Sequence, residues 1–181
     1  DYFIKCLKDW GIYVSVDMTT YRRFKPGDGV KDAHLLHDGT RLYAMYDPTM
    51  IELQKEFCDK FWNHYNPYTK LLYKDDPVFV LSEITNENDL FRPFNNNYKW
   101  KRIPYYADEF RGMFRSWLNE RGIEYDAEGC NLDGKDEPMM QFKMETNKKF
   151  ARTMYDHIRS LGVKIPICCT NWGKGNGLVM A

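Results

Sequence analysis

The sequence has no net charge, because its 26 basic and 26 acidic side chains cancel over 181 residues. No overall field therefore attracts a polyanion, and we expect neither nucleic acid nor a membrane surface as a partner. The sequence also lacks any apolar run long enough to cross a bilayer. A signal peptide is absent as well, but the chain opens on Asp1 rather than on methionine, so this absence leaves the compartment open.

Cysteine pairs at metal-binding spacing are missing too. The five cysteines are Cys6, Cys58, Cys130, Cys168 and Cys169. Their number is odd and no Cys-x-x-Cys occurs, so we expect free thiols rather than a zinc site or a full disulfide framework. His34 and His37 lie three residues apart in a polar segment without a third ligand in reach, and residues 133–137 miss the calcium-loop spacing of EF-hands. We therefore expect no metal and no cofactor.

Aromatic residues are abundant, at 16% of the chain, with 13 tyrosines, 11 phenylalanines and 5 tryptophans. Exposed rings of this kind stack on the faces of sugars. For any single ring, packing in the core is an equally good interpretation.

Three short apolar segments predict strands, at residues 12–18, 78–84 and 165–170. Amphipathic helical patterns alternate with them. The predicted helices cover residues 2–10, 48–65, 104–118 and 138–161. The last three each have a predicted buried stripe, formed by residues 50, 53, 57, 61 and 64, by residues 106, 110, 113, 114 and 117, and by residues 140, 144, 151, 154 and 158. Gly11 and Gly162 each stand between a helix and a strand, as a left-handed residue that closes a helix would. This alternation predicts an α/β fold with parallel strands.

Polar segments rich in Gly, Pro, Asn and Asp separate these elements. They span residues 19–47, 66–77, 85–103 and 122–137. Most are long for a compact α/β domain, in which connections usually have about 2–6 residues. Long βα loops are where such folds place binding groups.

The apolar run Val78–Ile84 ends just before Asn86 and Glu87. A carboxylate at the exit of a buried parallel strand lies at the C-terminal rim, where β/α enzymes keep their chemistry. Strand alternation would place Glu83, Thr85 and Glu87 on one face. The alternative for Glu87 is an acidic residue at a helix N-terminus or a solvated loop charge.

The order of residue types here resembles the fourth strand of the clan A glycoside hydrolases, a group of (β/α)₈ retaining glycosidases. Residues 9–18 resemble the third barrel strand and 46–57 the helix that follows it. Residues 66–78 are similar to the approach to the fourth strand in cellulase-like members, and 165–172 resemble a fifth strand.

The resemblance implies a partial (β/α)₈ TIM barrel with parallel strands and long βα loops. A complete barrel takes about 250 residues and eight strands. Residues 1–181 would then form a single partial catalytic domain spanning about strands three to five of a longer protein. We expect the remainder of its own barrel as a partner, and a secreted or periplasmic location.

The resemblance also implies hydrolysis of O-glycosidic bonds in a polysaccharide or oligosaccharide by a retaining mechanism. Glu87 would be the catalytic acid/base, and Asn86 would hydrogen-bond a sugar hydroxyl. Retention requires a second carboxylate about 5–5.5 Å away as nucleophile. In clan A that residue lies on the seventh strand, which this chain does not reach.

Further substrate contacts are predicted beside two strand ends. Asn171 and Trp172 follow the third predicted strand, where Trp172 is either a sugar platform or a packing residue. Tyr21 and Arg22 follow the first predicted strand. Two other functions remain open: a non-catalytic carbohydrate-binding relative of the same fold, and an unrelated α/β domain in which Asn86 and Glu87 cap a helix.

Overall fold

The computed structural model describes residues 1–19, 22–36, 42–91 and 103–170. The described residues fall into two compact units. The first unit takes those within 1–20, 52–87 and 151–173, and the second those within 21–51, 88–150 and 174–181. The described helices are α1 (Tyr2–Asp9), α2 (Pro48–Trp62), α3 (Pro104–Arg121) and α4 (Glu137–Ser160), and the strands are β1 (Val14–Asp17), β2 (Tyr65–Asn66), β3 (Leu71–Leu72), β4 (Phe79–Glu83) and β5 (Ile167–Cys168).

The first unit contains a three-stranded parallel sheet in the order β1-β4-β5. The three predicted strands form and pair in parallel, which confirms a mixed α/β fold, although each strand is shorter than its apolar segment. Gly11, at φ 66°, ends α1, and Gly162, at φ 91°, follows α4. Both adopt the left-handed conformation that the helix–glycine–strand pattern predicts, because glycine has no Cβ to clash there.

A short antiparallel hairpin of β2 and β3 corrects two predictions in the first unit. The helix predicted to residue 65 ends at Trp62, and the segment predicted as a loop contains β3. Pro67 explains the change, because a proline drives the preceding residue, Asn66, into extended backbone. The Asn66 side chain then accepts a hydrogen bond from Tyr68 N at 3.0 Å, which closes the turn.

The buried face of α2 also differs from the predicted stripe of residues 50, 53, 57, 61 and 64. Trp62 and Cys58 are fully buried, whereas Phe57 is 39% exposed. The ring of Trp62 packs edge-to-face on Phe79 of β4, with centroids 5.8 Å apart. Phe61 of the predicted stripe also packs on Phe79, and Met50 of the stripe is fully buried. The predicted stripe is therefore confirmed at these two positions and wrong at Phe57.

The core of the second unit lies between α3 and the first half of α4. Phe110, Phe114 and Trp117 of α3 surround Phe142 of α4, with ring centroids 5.0, 5.2 and 6.0 Å from it. The predicted stripe on α3 is confirmed in these rings. On α4 the prediction favoured Met140, which is only half-buried, because insertion of Phe142 between the α3 rings sets the rotation of the helix.

Polar contacts also join the C-terminal end of α3 to the first half of α4. The indole N–H of Trp117 donates to Glu145 Oε2 at 2.8 Å, and Arg121 Nη2 donates to the same oxygen at 2.7 Å. Arg121 also lies over the Trp117 ring at 4.4 Å. Within the described part of the chain, no helix has the length and apolar character needed to span a membrane.

Candidate active site

The C-terminal edge of the parallel sheet carries three polar side chains in one row. Asp17 of β1 is the register partner of Glu83 of β4, and Glu83 is the partner of Cys168 of β5. Register partners in a parallel sheet point to the same face, about 4.8 Å apart. Glu83 is 5% exposed, whereas Asp17 is exposed. The buried carboxyl therefore lies in the middle of the row, between the exposed Asp17 and the half-buried Cys168.

This row determines the protonation of Cys168. Burial raises the pKa of the Cys168 thiol, and the negative charges of Glu83 and Asp17 raise it further. The thiolate is the nucleophilic form of cysteine, and a raised pKa disfavours it.

Backbone pairing continues for two residues beyond β4. Ile84 N donates to Cys168 O at 2.9 Å, and Thr85 N donates to Cys169 O at 2.9 Å. From the other side, the Thr19 hydroxyl donates to Ile84 O at 2.7 Å. Sequence reasoning missed Thr19, although its position two residues past β1 is a usable signal. Together these bonds fix the point at which the chain leaves the sheet.

Asn86 and Glu87 form the turn that follows this exit. Glu87 is exposed and Asn86 is half-buried. The backbone of Glu87 is left-handed, at φ 43°. The strand alternation predicted for Glu83, Thr85 and Glu87 is therefore wrong at Glu87, because β4 ends at Glu83 and the turn breaks the period. Glu87 is thus an exposed residue in the turn just beyond the C-terminal end of the central strand.

The other predicted contacts are described one by one. Arg22 lies in a loop of the second unit, where its Nη2 contacts Asp28 Oδ1 at 3.3 Å. Its guanidinium also stacks over the Phe24 ring at 5.3 Å. Tyr21, Asn171 and Trp172 lie outside the described residues. Asn86 and Glu87, which are neighbours in the sequence, share the turn after β4.

No cluster of three or more His, Cys, Asp or Glu side chains among residues 1–19, 22–36, 42–91 and 103–170 is arranged to hold a metal ion. His34 is exposed within a short 3-10 turn, and His37 lies outside the described residues. All five cysteines lie in the described ranges, and none of them forms a disulfide bond there.

Two carboxyl groups that the sequence analysis did not predict, Glu109 and Asp47, interact in the second unit. Burial raises the pKa of Glu109 to about 7, and the charge of Asp47 contributes. Glu109 Oε2 is buried and accepts no hydrogen bond from the described residues. Asp47 accepts a bond from Met50 N at 2.7 Å at the start of α2, and burial raises its pKa. Perturbed carboxyls occur at functional sites and in structural clusters alike. The sequence carries no signal for this pair, which only folding brings together.

No protein-family model matches the chain, and no curated protein matches it. Among solved structures it is similar to two mannanases from Thermotoga petrophila. The first, an endo-β-1,4-mannanase, is 13% identical over 92% of this chain and 43% of its own, with a TM-score of 0.38. The second, a hyperthermostable endo-1,4-β-D-mannanase determined with maltose and glycerol, is 14% identical over 97% of this chain and 69% of its own, with a TM-score of 0.38. The chain spans less than half the length of the first. At these values the likeness concerns the general fold and carries no argument about activity.

Proposed function

We propose that this chain is part of a retaining glycoside hydrolase, in which Glu87 is the acid/base residue and carbohydrate is the substrate. One observation supports the proposal above all. Glu87 is exposed in the turn beyond the C-terminal end of β4, the central strand of the parallel sheet. Parallel β/α folds bind substrates at this edge. The resemblance of this strand and of Asn86–Glu87 to clan A enzymes supports glycoside hydrolysis as the reaction and the acid/base role for Glu87.

The proposed mechanism uses Glu87 twice. In the first step its carboxylic acid donates a proton to the departing glycosidic oxygen, and in the second its carboxylate takes a proton from the attacking water. Asn86 hydrogen-bonds a sugar hydroxyl near the reacting carbon. A nucleophilic carboxylate from a segment outside these 181 residues forms the glycosyl intermediate. The partial-barrel fold, the single partial domain and the rest of the barrel as partner belong to the same proposal.

The competing helix-cap interpretation of Glu87 requires a helix that begins immediately after it. Residues 88–91 are not helical. The solvent-exposed turn therefore favours a functional role for the carboxylate over capping. A non-catalytic carbohydrate-binding relative differs from the enzyme in lacking the nucleophile, so binding of oligosaccharide without turnover by the full-length protein distinguishes the two.

The test is Glu87→Gln in the full-length polypeptide that contains this sequence, assayed on two classes of substrate. On an oligosaccharide with a poor leaving group we expect turnover to fall by about 10²–10⁴-fold, because proton donation to the leaving oxygen is lost. On a dinitrophenyl glycoside, whose leaving group needs no proton, formation of the glycosyl intermediate should change little. Azide should then speed the second step, since an anion needs no general base.

Glu124→Gln is the matched control, because Glu124 is an exposed glutamate in the loop after α3. It should leave both substrates unaffected. Turnover of the oligosaccharide by Glu87→Gln at the control rate would remove Glu87 from the mechanism.

A further inference from the structure

A bulge in the central strand β4 decides which face of the sheet each polar side chain occupies. Val14 of β1 pairs with Phe79, whereas the next residue, Ser15, pairs with Leu81. Val80 is therefore an extra residue on β4, and the alternation of faces along β4 is reversed beyond it. Bulges re-aim side chains in this way and are frequent next to active sites.

One face of the sheet packs against α2. Phe79 lies on this face, because its ring packs on Trp62 with centroids 5.8 Å apart and on Phe61 with centroids 6.0 Å apart. Val14 and Val16 of β1 share this face with Phe79 and are half-buried. The apolar residues of β1 thus lie on the side that α2 occupies.

The opposite face is open on β1, where Ser15 and Asp17 are both exposed. Without the bulge, Glu83 would share the α2 face with Phe79, four residues before it. With the bulge, Glu83 lies on the open face as the register partner of Asp17. The last residues of β1 and β4 therefore carry carboxyl groups on the face opposite α2.

Asp17 has both carboxylate oxygens available. It forms no hydrogen bond or ion pair with any residue in the part of the chain that the structure describes. Both oxygens of an ionised aspartate accept hydrogen bonds, so a ligand can supply the donors. The alternative is that this charge protects the edge strand β1 from pairing with another chain.

Asp17 and Glu87 both lie in the first unit, at the C-terminal end of its sheet. The chain beyond Asp17 stays joined to the chain beyond β4, because the Thr19 hydroxyl donates to Ile84 O at 2.7 Å. Glu87 follows Glu83, the register partner of Asp17, by four residues. Four residues span at most about 14 Å. An oligosaccharide of several rings along this edge therefore reaches both side chains.

We propose that Asp17 is a substrate-binding residue of the candidate active site, whose carboxylate accepts hydrogen bonds from two hydroxyls of one sugar ring of the oligosaccharide bound at Glu87. This inference rests on the proposed function and extends it to the strand beside β4. A sugar ring carries neighbouring hydroxyl donors, and an ionised acceptor makes their hydrogen bonds stronger. Asp17 takes part in binding and not in proton transfer, so its loss raises KM and leaves kcat nearly unchanged.

The experiment measures kcat and KM of Asp17→Ala and Asp17→Asn in the full-length polypeptide that contains this sequence. The probes are β-1,4-linked hexasaccharides of glucose, mannose and xylose. For the hexasaccharide that is cleaved, Asp17→Ala should raise KM about 10–100-fold, as for lost hydrogen bonds to a charged group. Asp17→Asn keeps one oxygen acceptor, so its KM should lie between those of the natural protein and of Asp17→Ala.

Asp75→Ala is the matched control, because Asp75 is an exposed aspartate just before β4, at the opposite end of the same sheet. It should leave KM unchanged. Asp17→Ala should keep the natural stability to urea, since its carboxylate has no partner to lose. Should alanine disturb the fold, Asp17→Asn preserves the shape of the side chain and carries the test.

A KM for Asp17→Ala equal to that of the control would overturn the proposal. Stronger self-association of this variant at unchanged KM would assign Asp17 to protection of the sheet edge instead. Cleavage that depends on Asp17 but is unaffected by Glu87→Gln would refute only the acid/base role of Glu87. If the natural full-length protein neither binds nor cleaves any of the three hexasaccharides, the glycosidase proposal fails, and the role of Asp17 fails with it.

Discussion

Glu109 gives the chain a pH dependence of stability that can be worked out from the structure. Its carboxyl lies half-buried on α3 with Oε2 unbonded, near the charge of Asp47. Burial, with this charge, raises its pKa from 4.5 to about 7 in the folded chain. Between these pH values the folded state holds a proton that the unfolded state has released. The contribution of Glu109 is therefore complete below pH 4.5 and is lost as the pH rises to about 7.

The magnitude follows from the size of the pKa change. At face value a rise from 4.5 to about 7 corresponds to about 3 kcal/mol of folding free energy. Because the side chain is only half-buried, solvent screens the charge, and we expect about 1–2 kcal/mol. Glu109→Gln removes the titration while keeping the shape. The free energy of unfolding of the variant, relative to the natural chain, should rise by this amount between pH 4.5 and 7 and stay level above pH 7.

Urea unfolding followed by tryptophan fluorescence measures this difference at a series of pH values and one protein concentration. Glu120→Gln is the control, because Glu120 is an exposed glutamate on the same helix. It should keep the pH profile of the natural chain. Parallel profiles for Glu109→Gln and the natural chain between pH 4.5 and 7 would refute the assignment of a raised pKa to Glu109.

Further predictions concern the backbone, a buried ion pair and the sheet edges. Glu87→Gly should be more stable to urea than Glu87→Ala by about 1 kcal/mol, because glycine adopts the left-handed region without strain; equal stabilities would contradict that conformation. Gly112→Ala, at an open position inside α3, should raise the unfolding free energy by about 0.5–1 kcal/mol, and a decrease would show a clash that the structure does not contain. Burial raises the pKa of Asp76, but hydrogen bonds from Lys8 and Val78 N lower it overall, so its stabilisation should be lost below about pH 4 and Asp76→Asn should flatten the acid limb of the stability profile. Sedimentation of the 181-residue chain alone should show self-association, because β1 and β5 are edge strands of the described sheet. An assay on aryl glycosides should show no turnover by this chain, because the proposed nucleophile lies outside it; an active monomer would exclude the partial-barrel proposal.

The sequence determined the features that depend on local pattern. The apolar runs before Asp17 and Glu83 predicted parallel strands, because the alternation of helices and strands leaves few other topologies. Gly11, φ 66°, ended a helix because that backbone conformation is accessible mainly to glycine. The end of the central strand just before Asn86 and Glu87 could also be predicted, because the apolar run ends there. The chemistry assigned to it came from the resemblance and remains a proposal.

Tertiary structure decided what depends on rotation, register and distant neighbours. The predicted stripe of α2 left out Trp62, which is fully buried and packs on Phe79 of a strand that is distant in the sequence. The left-handed turn of Glu87 cannot be read from strand alternation, because it forms where the chain has left the ladder. Asn147 of α4 and Leu90 are 57 residues apart in the chain. The hydrogen bond from the Leu90 N–H to Asn147 forms only when residues 88–91 pack on α4. Proximity of this kind is produced by folding alone, because the sequence records the order of residues and not their distances.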